Sequence, residues 1–397
     1  MQDIESIKRY LTDYFSEGIK ESGDYNIGVE LEHFVVEKDS LKSVSYYSDS
    51  GVGQVLRELL PHFPYSYFEE DEILGLANDD YSITLEPGSQ LEISIIPQTT
   101  VKAIETIYNG FLETIEDVLA RKGYIFSTLG YLPVTSISEI KLLPKKRYEF
   151  MDRHFQKSGT MGRNMMRGTS SCQISIDYYN EADCIRKIRC AYLLSPIISY
   201  LSSNSPVFEG KPNTNPLLRT LIWRNTDNAR SGIIPGLFDD DFGFEKYAEY
   251  VLHTPAIFQV KDGDFSETNL SALEVMLESD DIPEPAELYI SLMFPDIRLK
   301  QYVEIRIADS MPIDKVLGYA AFIKGLFCCI DELEAVFKNT YFNEKSILEA
   351  QDNLMAGNLF VYGEQLDSML EKLIRVAECS LDEDEQAYLK SFIAVGE

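Results

Sequence analysis

Two carboxylates, Glu30 and Glu32, alternate with the apolar residues Val29 and Leu31 in the segment NIGVELEHFVV, residues 26–36. Side chains two residues apart on a β-strand point to the same face, so the pattern predicts a strand with both acids on one face. A single pair of this kind is typical of the solvent face of an antiparallel sheet. Alone, it therefore does not indicate a site.

Two further segments repeat the pattern. SQLEIS places Gln90 and Glu92 on one face, with Glu86 just upstream across a Pro-Gly turn, and YVEIRIAD places Glu304 and Arg306 on one face. If these strands pair in one sheet, their carboxylates converge and either raise one another's pKa or require cations. Ligands that are all oxygen favour Mg²⁺ or Mn²⁺. A sheet face that carries such ions could hold the phosphates of ATP.

Basic residues lie in segments that contain or adjoin glycine, threonine or proline. The chain has only 36 Lys and Arg against 65 Asp and Glu. The candidates for binding phosphate or carboxylate are Lys145, Lys146, Arg147, Arg163, Arg167, Arg219, Arg224 and Arg230. For each arginine alone, a surface or structural ion pair explains the residue equally well.

Charge and composition exclude several classes of protein. A net charge of −29 argues against a nucleic-acid binder and against docking on an anionic membrane. The four histidines are scattered, so no hydrolase triad is indicated. Six cysteines without a CxxC pair, no signal-peptide pattern and no long apolar run lead us to expect a soluble cytoplasmic protein with reduced thiols.

The elements that must position these residues can be read from periodicity. Amphipathic helices are expected over residues 3–21 and 99–122, the second capped by Thr99 or Thr100. Three short runs over residues 73–97 read as an antiparallel meander. Residues 207–242 are rich in Pro, Gly, Asn and Asp and should form a long loop or several short elements.

Strands cluster before residue 180 and recur near residue 300. From residue 314 the chain reads as helical, with breaks near Asn339, Gly357 and Leu381. This order predicts an α+β fold, an antiparallel sheet with helices packed against it. We expect one catalytic domain over residues 1–397, with a sheet-containing core at 1–312 and a helical part at 313–397.

Eight segments, taken in order, resemble glutamate–cysteine ligases of the plant and proteobacterial branch, which belong to the glutamine synthetase-like carboxylate–amine ligases. They cover about residues 26 to 312: IGVELEHF, ITLEPGSQLEIS, RYEFM, MMRGTSSCQISIDY, EADCIRKIR, LIWRNTDNARSG, FDDDFGFEKYAEYVL and FPDIRLKQYVEIRIADSMP. The resemblance implies a curved antiparallel sheet that forms a funnel with helices outside. It also implies that ATP phosphorylates the side-chain carboxylate of glutamate before the amine of cysteine attacks.

The resemblance also implies roles for residues of this chain. The metal ligands for Mg (or Mn) would be Glu30, Glu32, Glu86, Glu92 and Glu304. Arg306, with Glu304, would act on the transferring phosphoryl group, and Arg219 and Trp223 would lie near the glutamate α-carboxylate. Gln173 would line the pocket, Arg167 and Arg230 would bind substrate, and Lys145 with Arg147 would bind ATP.

Departures from the family pattern fall in three segments, and in LIWRNTDNARSG two usually acidic positions are Asn225 and Ala229. After VEIR the chain reads IADSMP, with Ile307, Ser310 and Met311 in place of glycines, and Ser175 stands where plant enzymes carry Asn. A ligase of the same type that joins glutamate to another amine is therefore the alternative. The expected partners are glutamate, cysteine and ATP, with no nucleic acid or membrane, in a monomer or homodimer.

Overall fold

The computed structural model describes residues 2–21, 25–261, 263–338 and 342–393. The strands up to residue 212 are β1 (Ile27–Glu37), β2 (Tyr65–Glu69), β3 (Glu72–Ala77), β4 (Tyr81–Leu85), β5 (Leu91–Gln98), β6 (Tyr124–Ser127), β7 (Ser171–Ile176), β8 (Val207–Phe208) and β9 (Lys211–Pro212). The later strands are β10 (Ser231–Gly232), β11 (Gln259–Lys261), β12 (Asp264–Ser266), β13 (Phe294–Pro295), β14 (Ile297–Leu299), β15 (Val303–Asp309), β16 (Phe360–Val361) and β17 (Glu364–Gln365).

Helices surround these strands and occupy most of the chain after residue 312. The earlier helices are α1 (Ile4–Glu17), α2 (Val52–Leu59), α3 (Val101–Arg121), α4 (Lys146–Ser158), α5 (Gly162–Gly168), α6 (Glu181–Leu201), α7 (Leu218–Arg224), α8 (Phe244–His253), α9 (Ala272–Glu278) and α10 (Pro283–Ser291). The C-terminal helices are α11 (Ile313–Cys328), α12 (Ile330–Phe337), α13 (Glu344–Met355), α14 (Leu366–Ser380) and α15 (Glu383–Ile393).

One sheet of nine strands organises the fold. Its strands follow the order β14-β15-β7-β1-β5-β4-β3-β2, and β6 pairs with the far end of β1. Every pair in this sheet is antiparallel. The predicted α+β class is confirmed, and the sheet is open because β14 and β2 end it on either side.

The alternation read from the sequence decides which face of the sheet is buried. Val29 and Leu31 of β1, Ile174 of β7 and Ile305 of β15 are almost fully buried. They join one apolar cluster with residues of α3, α6 and α11, the helices that lie against strands of this sheet. The opposite face of the same strands therefore carries their polar residues.

The local predictions of helices and loops are mostly confirmed. The side chain of Thr100 accepts a hydrogen bond from the backbone N–H of Ala103 and caps α3. Residues 207–242 form several short elements, not one long loop. The break expected near Asn339 lies outside the described residues, and α6 continues through Pro196.

The helical C-terminal part packs on the sheet-containing core. Helix α11 contacts β7, β1 and α3, and residues on both sides of position 312 share the same apolar cluster. That the whole chain acts as one catalytic domain stays a prediction. No helix in the described part of the chain is long and apolar enough to cross a membrane.

Candidate active site

The register of the sheet brings the polar residues of four strands onto one face. Glu32 of β1 lies directly opposite Glu92 of β5, and Glu30 lies opposite Gln173 of β7. Glu304 of β15 lies opposite Ser175 of β7. The prediction that the acids of three sequence segments share one face is confirmed by this register.

This face forms the floor of a cleft of about 340 Å³. Many of the residues predicted for the site line it: Glu30, Glu32, Glu86, Glu92, Lys145, Arg147, Gln173, Arg219, Trp223 and Arg306. Acidic strand residues and basic residues from α4, α7 and β15 therefore face the same space. Opposite charges in one cleft suit a ligand that carries both a polyphosphate and its cations.

The turn before β5 places Glu86 beside the strand acids. The backbone N–H of Ser89 donates to the carbonyl of Glu86, and the amide of Gln90 donates to the carbonyl of Thr169 at 2.7 Å. A Cβ on Gly88 would stand 2.8 Å from the carbonyl oxygen of Arg167, too close for any other residue type. This close approach fixes the turn against α5.

Burial and mutual repulsion raise the pKa of the strand acids. Burial, then the charge of Glu86, raises the pKa of Glu32 to about 7, although Ser171 donates to it through both its backbone N–H and its hydroxyl. Burial, then Glu30, Glu86 and Glu32, raises the pKa of Glu92 well above its usual value. The pKa of Glu30 is raised by burial and then by Glu304. These acids need a cation to ionise together.

The acids are near one another without forming a closed cage. Within the described ranges, no three His, Cys, Asp or Glu side chains are already gathered closely enough to hold a metal ion. The hydroxyl of Thr84 donates to Glu92 at 2.8 Å, and the hydroxyl of Ser171 donates to Glu32 at 2.6 Å. A metal ion would thus meet carboxylates that are hydrogen-bonded but not neutralised by a cation.

Glu304 differs from the other acids because cations surround it. Arg298 donates to both of its oxygens, at 2.6 and 3.1 Å, Lys300 donates to one at 3.1 Å and Arg306 to the other at 2.8 Å. Burial opposes ionisation, but Arg298, Arg306 and Lys300 outweigh it and hold the pKa of Glu304 well below its usual range. Glu304 is fully buried behind these cations and does not line the cleft.

Two arginines meet at the basic side of the cleft. Arg306 also donates to the side-chain carbonyl of Gln173, and its backbone carbonyl accepts from Nε of Arg219 at 3.2 Å. The guanidinium of Arg219 lies 5.7 Å from the centre of the Trp223 ring. The terminal nitrogens of Arg219 have no hydrogen-bond partner in the described part of the chain, so they are available to an anionic ligand.

Lys145 and Arg147 add positive charge at the start of α4. Nζ of Lys145 donates only to the carbonyl of Leu85, at 3.4 Å, and Nε of Arg147 is buried without a partner. Neither side chain forms an ion pair with another described residue. Burial, set against the charge of Glu86, lowers the pKa of Lys145. Such unpaired cations are suited to bind an anion.

Arg167 and Arg230 were predicted to bind substrate, but the structure places neither in the lining of the cleft. Arg167 donates to Asp152 at 2.6 Å and to the carbonyl of Ile140. Arg230 is 2% exposed, donates to Asp227 at 2.7 Å and also donates to the carbonyls of Leu292 and Pro255. These bonds give both arginines partners inside the protein.

We expect Arg230→Leu to lower the free energy of unfolding by about 3–5 kcal/mol, because Asp227 would stay buried with only His154 and the backbone N–H of Ala229 as partners. The KM for each substrate of the folded enzyme should stay unchanged. Urea unfolding and steady-state kinetics check both points. Arg153→Leu, which removes a half-exposed ion pair with Glu267, is the matched control and should change neither. If Arg230→Leu had a raised KM and native stability, Arg230 would be a substrate-binding residue.

Sequence reasoning missed Arg298 and Lys300, which both line the cleft. Arg298 lies opposite Glu304 in the β14–β15 hairpin, and Lys300 begins the turn that follows β14. The signal was present, since both residues stand at period two in IRLKQYVEIR and lead into the strand of Glu304 and Arg306. The turn between β14 and β15 interrupts the strand pattern, so this spacing was not recognised.

Comparison with solved structures defines the class of fold. A glutamate–cysteine ligase from Francisella tularensis, crystallised in complex with AMP, superposes with a TM-score of 0.55 over 94% of this chain and 82% of its own. Only 13% of the aligned residues are identical, so this likeness concerns the fold. The two proteins therefore share a similar fold.

Residues 26–356 match the family model described as glutamate-cysteine ligase family 2, and the chain belongs to this family. Chloroplastic glutamate–cysteine ligase B of Oryza sativa subsp. japonica is 35% identical over 340 residues, which cover 83% of this chain and 68% of the rice protein. The chloroplastic enzyme of Arabidopsis thaliana is 34% identical over 336 residues, 82% of this chain and 64% of the relative. The resemblance found in the sequence is thereby confirmed.

Proposed function

We propose that this protein joins the side-chain carboxylate of glutamate to the amino group of cysteine at the expense of ATP, through a γ-glutamyl phosphate. The observation that carries the proposal is the cleft itself, where the acids of β1, β5 and the β4–β5 turn face cations at the start of α4 and on α7 and β15. Family membership, the names of the plant relatives and the AMP bound to the Francisella ligase support it.

Magnesium or manganese fits the acidic side of the cleft. Glu30, Glu32, Glu86 and Glu92 supply only oxygen ligands, and burial together with the neighbouring acids raises the pKa of Glu30, Glu32 and Glu92. When bound there, the ion would neutralise phosphate charge and help to orient the triphosphate. Glu304, predicted from the resemblance as a fifth ligand, does not fit, because its oxygens are already taken by three cations.

The basic residues would hold the two substrates in line. Arg219, stacked near Trp223, presents free guanidinium nitrogens to the cleft and is suited to the α-carboxylate of glutamate. Arg306, fixed by Glu304 and Gln173, is suited to the phosphoryl group in transfer. Lys145 and Arg147 would bind the remaining phosphates of ATP. Holding a carboxylate and a triphosphate together requires this neutralisation.

Apolar side chains would keep water from the acyl phosphate. Met151, Met165, Met166 and Tyr148 line the same cleft as the charged residues. All four are almost completely buried. An acyl phosphate that met water before the amine would be hydrolysed and the ATP wasted, so a partly dry cleft is required for the proposed chemistry.

Product analysis tests the proposal and the choice of amine together. The purified protein should form γ-glutamylcysteine and ADP in equal amounts from glutamate, cysteine, ATP and Mg²⁺, as seen by mass spectrometry and an ADP assay. A panel of other amines is the control for the acceptor. Equal or faster turnover with another amine would contradict cysteine as the acceptor but would leave the ligase activity supported. No glutamate-dependent ADP formation with any amine would contradict both the ligase activity and the choice of cysteine.

We expect added Mg²⁺ to stabilise the protein more at pH 8 than at pH 6. A carboxylate whose pKa is raised on folding stabilises the folded state below its unfolded pKa, and this contribution is lost as pH rises through the folded pKa, about 7 for Glu32. A bound cation removes that loss because it favours the ionised form. Thermal unfolding with and without Mg²⁺ at both pH values measures the effect.

Glu32→Gln is the matched variant for this experiment, because it keeps the shape of the side chain and removes its titration. Its Mg²⁺-dependent gain in melting temperature should be smaller and should vary less between pH 6 and pH 8 than that of the native protein. A native gain that is the same at both pH values would contradict the placement of the metal beside Glu32.

A further inference from the structure

Three cations converge on the single carboxylate of Glu304. Arg298, Lys300 and Arg306 each lie within 3.1 Å of one of its oxygens. One negative charge meets three positive charges, so the cluster carries a surplus of two. All four side chains are largely buried, with 21% exposure for Lys300 as the highest value. A surplus of buried charge is costly unless a further anion reaches it.

The three cations differ in how many donors remain free. Arg298 bonds both oxygens of Glu304 and, through its other terminal nitrogen, the carbonyls of Ser291 and Met293. It therefore anchors the cluster to the chain. Lys300 donates to Glu304 at 3.1 Å and to the hydroxyl of Tyr302 at 3.2 Å, which leaves one of its three N–H groups unused.

Lys300 faces the cleft beside the strand acids. It lines the same cavity as Glu30, Arg219 and Arg306. Even with Glu30 ionised, the cluster and Glu30 together retain one positive charge. The surplus charge lies at the hairpin that joins β14 to β15, where Arg298, Lys300 and Arg306 line the cleft.

We propose that Lys300 is a further phosphate-binding residue of this cleft, and that Glu304 is the positioning residue that holds Lys300 and Arg306 toward the polyphosphate of a nucleoside triphosphate. The inference rests on the proposed function in placing ATP in the cleft. It assigns Glu304 to the cations and not to the metal. It also explains why Glu304 is fully buried and does not line the cleft.

Binding of inorganic tripolyphosphate without Mg²⁺, and of Mg·ATP, tests the inference by isothermal titration calorimetry. We expect Lys300→Met to weaken both by about 10- to 100-fold, the effect of one lost charge-assisted bond. Lys300→Arg should recover most of the affinity. Lys345→Met, at a side chain that is 81% exposed on α13, is the matched control and should bind as the native protein does.

Lys300→Met should fold normally, because Glu304 keeps Arg298 and Arg306 and the surplus charge falls. Circular dichroism confirms this before titration. Native affinity in Lys300→Met, or a native protein that binds neither ligand, would overturn the inference. If Lys300 matters for binding but no γ-glutamylcysteine forms, the proposed function fails alone. If the product forms and Lys300→Met binds normally, the inference fails alone.

Discussion

Replacing Glu92 with Gln should lower kcat/KM for glutamate-dependent ADP formation by about 10²- to 10³-fold, the usual effect of removing one preorganised electrostatic group from a site. The same change should leave the free energy of unfolding at its native value or higher. Burial, then Glu30, Glu86 and Glu32, raises the pKa of Glu92, which is 9% exposed, so the metal-free protein gains little from its charge. Steady-state kinetics and urea unfolding measure the two effects.

Glu113→Gln, at an exposed position on α3, is the control for this substitution and should change neither quantity. A Mg²⁺ titration of activity adds a second readout, because loss of a metal ligand should raise the Mg²⁺ concentration needed for half-maximal rate. Native activity in Glu92→Gln would remove the argument for a metal on this face of the sheet.

Glu304→Gln should lose activity as well, but with the opposite effect on stability. Three cations would then lose the carboxylate between them, and Arg298 is only 8% exposed at its side chain. Removing one partner of a buried ion pair costs about 3–5 kcal/mol. The depressed pKa of Glu304 means that its contribution is present above its unfolded pKa and is lost as pH falls, so the cost should be full at pH 7.

Mn²⁺ binding followed by electron paramagnetic resonance separates the two acids at a temperature where both variants are folded. Glu304→Gln should keep the native Mn²⁺ affinity, whereas Glu92→Gln should lose much of it. Glu304→Asp keeps the charge and should retain more stability than Glu304→Gln. If Glu304→Gln bound Mn²⁺ more weakly while keeping native stability, Glu304 would be a metal ligand, which would contradict this assignment.

The arrangement of the acids was predictable because a strand allows only one alternation. Glu30 and Glu32 must share a face, and the apolar residues between them must share the other, whichever strands lie beside β1. The class of fold followed from the same alternation. The order of the strands did not, because β15 enters the sheet beside β7 from about 130 residues away and no local pattern records that pairing.

The basic residues were harder to assign from sequence. Arg167 and Arg230 stand in the same kind of segment as Arg219, yet Asp152 and Asp227 bind them inside the protein while Arg219 turns toward the cleft. A long arginine side chain can reach an ion-pair partner in several directions. Its actual partner is therefore decided by the packing of the folded chain and not by the local sequence. Lys300 was missed because the turn that it begins separates β14 from β15, although Lys300 keeps the two-residue spacing from Arg298.

Transfer of oxygen from glutamate to phosphate tests the central claim most directly. The protein would be given glutamate labelled with ¹⁸O in its side-chain carboxylate, together with cysteine, ATP and Mg²⁺, and its products analysed by mass spectrometry. The account predicts γ-glutamylcysteine and inorganic phosphate that carries one labelled oxygen, because the carboxylate attacks the γ-phosphorus. Formation of the dipeptide with unlabelled phosphate, or no dipeptide at all, would contradict it.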